Sequence, residues 1–267
     1  MMSKNRMTLG LVALAVVLSA AAAMAATPAV NSAVLTTRVF NDCPFSTLTT
    51  GNSYPAQIFF DDAKGDCAGW ANLHIWRYSG DGIAAAIFPN ASDFRSAADL
   101  VISGVNNAEA GLQVAPWWSQ QVDGRLNVKS DASGEIACFG GRLPFYSFTA
   151  TYGLQYVKGT TIHLEVIYHQ NGLSLASPAT IEYLVTYNSV SYTSGAMAFD
   201  EGNPAEGHGS FGMLDGAQVG GFAQMFNGGV PNETAHAEWT NIVFVDLNPP
   251  SPVEKTTWGQ IKASYKK

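Results

Sequence analysis

The segment that decides the fold class is 161–187, which reads TIHLEVIYHQNGLSLASPATIEYLVTY. Both of its ends alternate between apolar and polar residues, and successive side chains of a β-strand point to opposite faces of a sheet. In the first end, Leu164, Val166 and Tyr168 share one face, and the residues between them share the other. Because Asn171-Gly172 is a turn signal, the segment predicts two strands that each bury one face, as antiparallel sheets do.

The rest of the chain repeats this pattern of short strands and turns. The runs are rich in Val, Ile, Thr and aromatic residues, which suit a pleated, half-buried surface. Gly-containing turns such as Asp123-Gly124 and Asp215-Gly216 separate them. A dozen short strands predict an all-β protein, an antiparallel two-sheet β-sandwich (jelly roll). The predicted strands are 56–60, 71–78, 98–103, 111–114, 124–129, 134–139, 145–151, 161–169, 180–187, 210–214, 220–226 and 235–245.

The N-terminal segment 1–26 has the layout of a secretory signal peptide. Lys4 and Arg6 precede the apolar run 9–18, and Ala23-Met24-Ala25 follows as a cleavage site. The apolar run is shorter than the roughly 20 residues that a spanning helix needs. We therefore expect a secreted protein (extracellular, periplasmic or cell-surface) whose mature chain does not span a membrane.

A proline-rich break follows the last predicted strand. We expect one sandwich domain over 27–246, followed by a linker and a short tail over 247–267. The linker reads LNPPSPV, and its prolines favour an extended chain. In the tail, Trp258, Ile261 and Tyr265 recur at helical spacing.

Composition and charge exclude several classes of protein. Only 13% of the residues are charged, about half the usual share of roughly 25% in soluble proteins. This argues against a disordered chain or a coiled coil. The net charge is −7, and removal of the signal peptide leaves 12 basic and 21 acidic side chains, hence −9. A protein that binds nucleic acid through a basic surface is not expected.

The three cysteines are Cys43, Cys67 and Cys138. Export permits a disulfide, and the turn-rich surroundings NDCPF and KGDCAG favour a bridge between Cys43 and Cys67. Cys138 lies in a predicted strand, where a free cysteine acts as a small hydrophobe. By number alone, three pairings are open.

Three pieces of the sequence carry a resemblance to a known family. They are the strand pair in 99–118, DLVISGVNNAEAGLQVAPWW, the hairpin around Asn171-Gly172, and the closing strand 237–245. Together they resemble the concanavalin A-like lectin/glucanase superfamily, which includes laminin-G-like jelly rolls. The resemblance covers about 40–246 and implies a two-sheet sandwich. The superfamily hosts lectins, binding modules, glycoside hydrolases and lyases, so the fold does not select a function.

The aromatic pair Trp117 and Trp118 is the candidate glycan-binding site. Sugar rings pack their C–H faces on exposed aromatic planes, and neighbouring polar groups supply hydrogen bonds. Gln120 and Asp123 lie close by in sequence. Adjacent residues on a strand point to opposite faces, so an extended backbone here would leave one of the two indoles in water.

An enzymatic alternative rests on Glu165 and Glu182. A retaining glycosidase needs two carboxyl groups about 5–5.5 Å apart, and residues directly opposite in an antiparallel pair come about that close. The pair is therefore a candidate acid and nucleophile if the strand register brings them together. The glucanase motif Glu-x-Asp-x-x-Glu and the Arg, Gln-x-His and Tyr strands of alginate-lyase-like relatives are not recognisable.

An acidic turn offers a weak calcium candidate. Asp61, Asp62 and Asp66 could supply oxygen ligands for a structural Ca²⁺ ion, which takes 6–8 of them. The loop lacks the residue order of an EF-hand, and the alternative is an ordinary polar turn. No other cofactor or metal is expected.

Three functions remain open from the sequence. The first is a secreted or cell-surface glycan-binding or adhesion protein without catalysis. The second is a structural or assembly protein of the cell surface, and the third is a polysaccharide-active enzyme (a glycoside hydrolase or lyase). The expected partner is accordingly a carbohydrate or a cell-surface protein.

Overall fold

The computed structural model describes residues 27–63, 71–116, 124–199, 211–226 and 229–248. They form two facing sheets, and every strand pairing in these ranges is antiparallel. The seven-stranded sheet contains, in spatial order, β1 (Ser32–Asn41), β4 (Ala71–Ser79), β14 (Gln218–Phe226), β6 (Ala108–Ala115), β7 (Gly124–Lys129), β8 (Ile136–Gly140) and β9 (Leu143–Ser147). The eight-stranded sheet contains β12 (Val190–Thr193), β11 (Thr180–Tyr187), β10 (Thr161–His169), β5 (Phe94–Gly104), β15 (Ala235–Asp246), β3 (Gln57–Ala63) and β2 (Thr47–Ser53), with β13 (Met197–Ala198) also paired to β11. The predicted all-β sandwich is confirmed.

The hairpin of β10 and β11 has the geometry that its alternation predicts. Leu164 lies opposite Val185, and Val166 lies opposite Tyr183. All four side chains are buried between the sheets. The period of two therefore places the core face correctly along both strands.

Aromatic side chains join the two sheets. Trp76 of β4 meets Trp239 of β15 edge-on, with ring centroids 6.1 Å apart and an interplanar angle of 73°. Phe60 of β3 also packs edge-on against Trp239, with ring centroids 5.9 Å apart. Since both tryptophans are fully buried, this contact ties the centres of the sheets together.

The sequence did not predict the edge strands β1 and β2. In β1 the pairing register with β4 shifts between Thr36 and Phe40, and Arg38 inside this bulge has φ 55°. A bulge interrupts the apolar alternation, and an edge strand buries few side chains, so neither strand has a clear period of two.

Two of the predicted strands are wrong. Within the segment 145–151, strand β9 ends at Ser147, and the short helix α1 (Phe148–Tyr152) follows it. Ser147 caps this helix by accepting a hydrogen bond from the Ala150 amide, and Gly153 ends it with φ 71°. In the segment 210–214, the described residues 211–214 form bends rather than a strand.

The cysteines are described in part. Cys138 is a free thiol in the core, as expected, and burial raises its pKa well above the ordinary value. Cys43 is buried near the start of β2. Cys67 lies outside the described residues, so the bridge from Cys43 to Cys67 stays a prediction. We expect peptide mapping of the unreduced protein to yield a linked pair containing these two residues, and a linked peptide containing Cys138 would contradict the assignment.

The two ends of the chain also lie outside the described residues. The predicted signal peptide, 1–26, and most of the predicted linker and tail, 249–267, are not among the described ranges. Both remain predictions. No helix in the described ranges is long and apolar enough to cross a membrane.

Candidate functional site

The seven-stranded sheet carries a line of polar side chains on the face turned away from the core. Arg77 lies opposite Gly220, Gly220 lies opposite Gln113, and Gln113 lies opposite Arg125. Their neighbours along the strands, such as Leu112, belong to the core, so alternation directs these side chains to the other face. We call Arg77, Gln113 and Arg125 the polar row.

Hydrogen bonds join Arg77 to Gln113 and to β14, the strand between them. Arg77 Nη2 donates to Gln113 Oε1 at 2.9 Å, and Arg77 Nη1 donates to the carbonyls of Trp76 and Gly221 at 3.0 Å. The intervening position is Gly220, where an added Cβ would come within 2.1 Å of the Trp76 carbonyl oxygen. Only glycine fits there, and it leaves room for Arg77 to reach Gln113.

Arg125 is flanked by aromatic rings. Its guanidinium carbon lies 4.3 Å from the centroid of Phe222 and 5.5 Å from that of Phe139. A ring face attracts a cation at these distances. The rings therefore help to fix the position of the Arg125 guanidinium.

Both arginines of the row are buried and cationic. Burial lowers the pKa of Arg77 to about 9, and the neighbouring charge of Arg125 lowers it as well. Burial lowers the pKa of Arg125 to about 10, against an opposing effect of Glu109. Both values lie above neutral pH, so two positive charges occupy one face of a protein whose net charge is negative.

A carboxylate lies beside the row. Asn127 Nδ2 donates to Glu109 Oε2 at 3.2 Å. Burial raises the pKa of Glu109, against opposing effects of Arg125, Asn127 and Lys129. Among the residues that the structure describes, neither Gln113 Nε2 nor Asn127 Oδ1 has a hydrogen-bond partner. The face thus combines buried cationic donors with a buried amide nitrogen and a buried amide oxygen.

The predicted glycan-binding residues are not described. Trp117, Trp118, Gln120 and Asp123 all fall in 117–123, outside the described ranges. In sequence, this segment joins β6 to β7, the strands that carry Gln113 and Arg125. The aromatic candidates and two members of the polar row thus belong to one strand–connection–strand unit.

The candidate catalytic pair lies on the other sheet and does not meet its register condition. Glu165 lies opposite Leu184 in the β10–β11 pair, not opposite Glu182. Glu165 instead forms an ion pair with Arg95, and Glu182 accepts a hydrogen bond from Thr193 Oγ1 at 2.5 Å. The two glutamates are therefore not directly opposite each other, which is the arrangement that would bring their carboxyl groups about 5–5.5 Å apart.

The predicted acidic turn is a strand at Asp61 and Asp62, because β3 continues to Ala63. Consecutive strand residues point to opposite faces. Asp62 is fully buried, whereas Asp61 lies outside the core, 3.3 Å from His236 Nδ1. The two carboxylates therefore point to opposite faces of β3, and Asp66 lies outside the described residues, so the calcium site stays a prediction.

A buried polar cluster connects the two sheets, and the sequence analysis missed it. Asp62 Oδ2 of β3 accepts from Asn72 Nδ2 at 2.7 Å and lies 3.1 Å from His74 Nε2 of β4. The backbone N–H of Arg38 donates to His74 Nδ1 at 3.1 Å, so the ring carries its hydrogen on Nε2 and donates it to Asp62. The alternation of β4 could have revealed it, since Asn72 and His74 share the core face of Trp76.

Hydrogen bonds decide the charge state of this buried carboxylate. Burial alone raises the pKa of Asp62, but hydrogen bonds from His74, Asn72 and Ser46 outweigh it, so the pKa lies below its ordinary value. Asp62 is therefore ionised at neutral pH, although its side chain is fully buried.

Fold and site together define an all-β sandwich with a buried cationic polar row on the sheet face that is turned away from the core. No family model matches the sequence, and no curated protein matches it either. Among solved structures, an alginate lyase from Klebsiella pneumoniae is similar, with 11% identity, a TM-score of 0.42, and coverage of 76% of this chain and 84% of that one. The structure itself shows the predicted two-sheet antiparallel sandwich.

Two other similar structures are proteins of different classes. The CBM2 module of the evolved Dit protein of Lactobacillus casei phage J-1 has 8% identity and a TM-score of 0.40, covering 73% of this chain and 78% of that one. Arcelin-5, a lectin-like defence protein of Phaseolus vulgaris, has 12% identity and a TM-score of 0.36, covering 81% and 100%. Likeness at this level does not assign an activity or a ligand.

Proposed function

We propose that this protein is exported and binds an acidic glycan without catalysis, through the polar row and the segment 117–123. The observation that carries the proposal is the register of β6 and β7, in which Gln113 lies opposite Arg125. The same two strands are joined by the segment that contains Trp117 and Trp118. Cationic donors and aromatic rings are thereby supplied by one unit of the fold.

The chemistry of the row suits an anionic sugar. A guanidinium donates two parallel hydrogen bonds to a carboxylate or a sulfate, and these charge-assisted bonds are about twice as strong as neutral ones. Attraction between charges also rises as the local dielectric falls, and both arginines are buried. A uronate or sulfate group that reaches Arg125 would therefore contribute much of the binding energy.

The aromatic residues supply the second part of the proposed site. A pyranose ring presents C–H groups to an indole face, and Gln120 and Asp123 offer hydrogen bonds to its hydroxyls. We propose that this part binds the sugar ring while the polar row binds its acidic substituent. Neutral glycans would then bind more weakly than acidic ones of the same length.

Glycan-array binding by the secreted chain tests the proposal. We expect uronate-containing or sulfated glycans to be retained, and Arg125→Gln to weaken binding about 30-fold or more, because loss of a buried charge partner costs about 2–5 kcal/mol. Arg125→Lys keeps the charge but not the two-pronged geometry, so we expect an intermediate loss. Trp117→Ala and Trp118→Ala should also reduce binding.

The matched control is Arg95→Gln, which removes an arginine from the outer face of the other sheet. We expect it to leave binding unchanged, with folding of each variant checked by circular dichroism. Wild-type binding that survives Arg125→Gln and both tryptophan substitutions would exclude this site. Release of new sugar ends by the wild-type protein would favour the enzyme instead, and binding to cell-surface protein but not to glycans would favour the assembly function.

A further inference from the structure

A mostly apolar cleft lies at the end of the sandwich where β5 begins and β15 ends. Its volume is about 410 Å³, which falls in the usual range of ligand pockets. One wall comes from the connection between β4 and β5, and the other from the residues before β14. The lining residues are Ile87, Phe88, Pro89, Asn90, Leu214, Asp215 and Gly216.

Hydrogen bonds join the two walls of the cleft. The Phe88 amide donates to the Ala217 carbonyl at 2.8 Å. Tyr168 Oη donates to the Asn90 carbonyl at 3.2 Å and accepts from the Met213 amide at 3.4 Å. These hydrogen bonds fix the two walls of the cleft relative to each other. Its apolar rim includes Ile87, which is 51% exposed.

The chain leaves the sandwich next to this cleft. After β15, the Leu247 amide donates to the Asp93 carbonyl at 2.9 Å, and Asn248 Nδ2 hydrogen-bonds the Asp93 carboxylate. Asp93 directly precedes β5 and lies only three residues beyond the cleft residue Asn90. The segment 249–267 therefore starts close to one wall of the cleft.

The composition of that segment complements the cleft. A proline-rich chain extends by about 3 Å per residue, so 249–253 can span about 15 Å. Beyond it, Trp258, Ile261 and Tyr265 lie at the spacing of one helix face. The segment 249–267 has four lysines and one glutamate, net +3, whereas 27–248 has 8 basic and 20 acidic side chains, net −12.

We propose that the cleft is an intramolecular docking site for the C-terminal tail, 254–267. The apolar face formed by Trp258, Ile261 and Tyr265 packs against Ile87 and Pro89, while tail lysines lie near Asp215 at the rim. Linkage through a short linker raises the effective concentration of the tail at the cleft to the millimolar range, so weak contacts suffice. The proposal is independent of glycan binding by the polar row.

Hydrogen–deuterium exchange of the full exported chain tests the docking. We expect amides of 256–265 to exchange at least about tenfold more slowly than in a synthetic peptide of residues 249–267. Ile87→Asp places a charge in the apolar wall, and we expect the tail to exchange at the peptide's rate in this variant. Ile83→Asp is the matched control: Ile83 is in the same connection and 85% exposed but does not line the cleft, so protection should persist.

Chemical cross-linking is a second test of the docking that needs no substitution. Carbodiimide coupling of the wild-type protein should join Asp215 to a tail lysine within one chain. A wild-type tail that exchanges as fast as the free peptide would overturn the proposal, as would equal protection in Ile87→Asp and the wild type. Protection that rises with protein concentration would also overturn it, because the cleft would then bind the tail of a second copy.

Discussion

Gly111→Ala is expected to lower the free energy of unfolding by about 3 kcal/mol or more, the upper range for overpacking a well-packed site. An alanine Cβ at this position would lie 1.8 Å from the Leu126 carbonyl oxygen and 2.9 Å from its carbon. Both atoms belong to the backbone of β7, which cannot rotate away as a side chain can. The β6–β7 pair would have to separate, although it positions Gln113 opposite Arg125.

The measurement is urea denaturation of Gly111→Ala, with Gly153→Ala measured in parallel as the control. Gly153 ends helix α1 with φ 71°, and an added Cβ there meets nothing within 4 Å. That control isolates the backbone cost of a left-handed residue, about 1–2 kcal/mol. If Gly111→Ala lost no more stability than Gly153→Ala, the close approach of β6 and β7 would be contradicted. A folded Gly111→Ala variant should also bind glycan less well than the wild type.

Asp62→Ala is expected to cost about 3–5 kcal/mol of folding stability. The substitution leaves the side-chain donors of Asn72 and His74 buried without their acceptor, and each such group costs about 1–3 kcal/mol. It also removes side-chain volume from the core. The matched control is Asp61→Ala, the next residue on β3, which lies outside the core beside His236. Because exposed ion pairs contribute little, we expect the control to lose no more than about 1 kcal/mol.

The same carboxylate makes stability depend on acid pH. Its pKa is lower in the folded protein than the usual value for aspartate, which is about 3.9 in an unfolded chain. Its contribution is therefore complete above about pH 4 and is lost as the pH falls from there through the lower folded pKa. Urea midpoints measured from pH 7 to pH 2 should fall less steeply below pH 4 in Asp62→Asn than in the wild type. Parallel profiles would show that Asp62 is not the ionised group of the cluster.

Much of the fold was predictable because burial in a two-sheet sandwich is a local property of each strand. The alternation in β10, β11 and β15 identifies which side chains face the core, without knowledge of their partners. Prediction failed where this signal is weak: the bulge at Arg38 interrupts β1, and the apolar run after Leu143 turns into a helix at the Ser147 cap. Local hydrogen bonding decided those positions.

The candidate site was predictable only in pieces. Arg77, Gln113 and Arg125 each fall in a predicted strand, so each could be assigned to a strand but not to a common row. β6 and β7 are consecutive strands, but β5 separates β4 from them in sequence, and β14, which lies between β4 and β6 in the sheet, comes from near the C-terminal end of the described chain. Strand order depends on long-range pairing, which alternation does not encode. The glutamate pair shows the same limit, since a shift of two residues in register separates Glu165 from Glu182.

The sequence by itself determined the fold class, the core face of most strands, and the expectation of an exported chain with a basic tail. These follow from the period of residues along one strand and from the composition of the chain ends. The tertiary structure decided which strands lie side by side, and so which polar residues meet. It placed two buried arginines in one row, joined Asp62 to His74 between the sheets, and brought Leu247 and Asn248 next to Asp93, close to the cleft. The physical reason is that strand pairing and sheet stacking join residues distant in sequence, and no local pattern specifies those contacts.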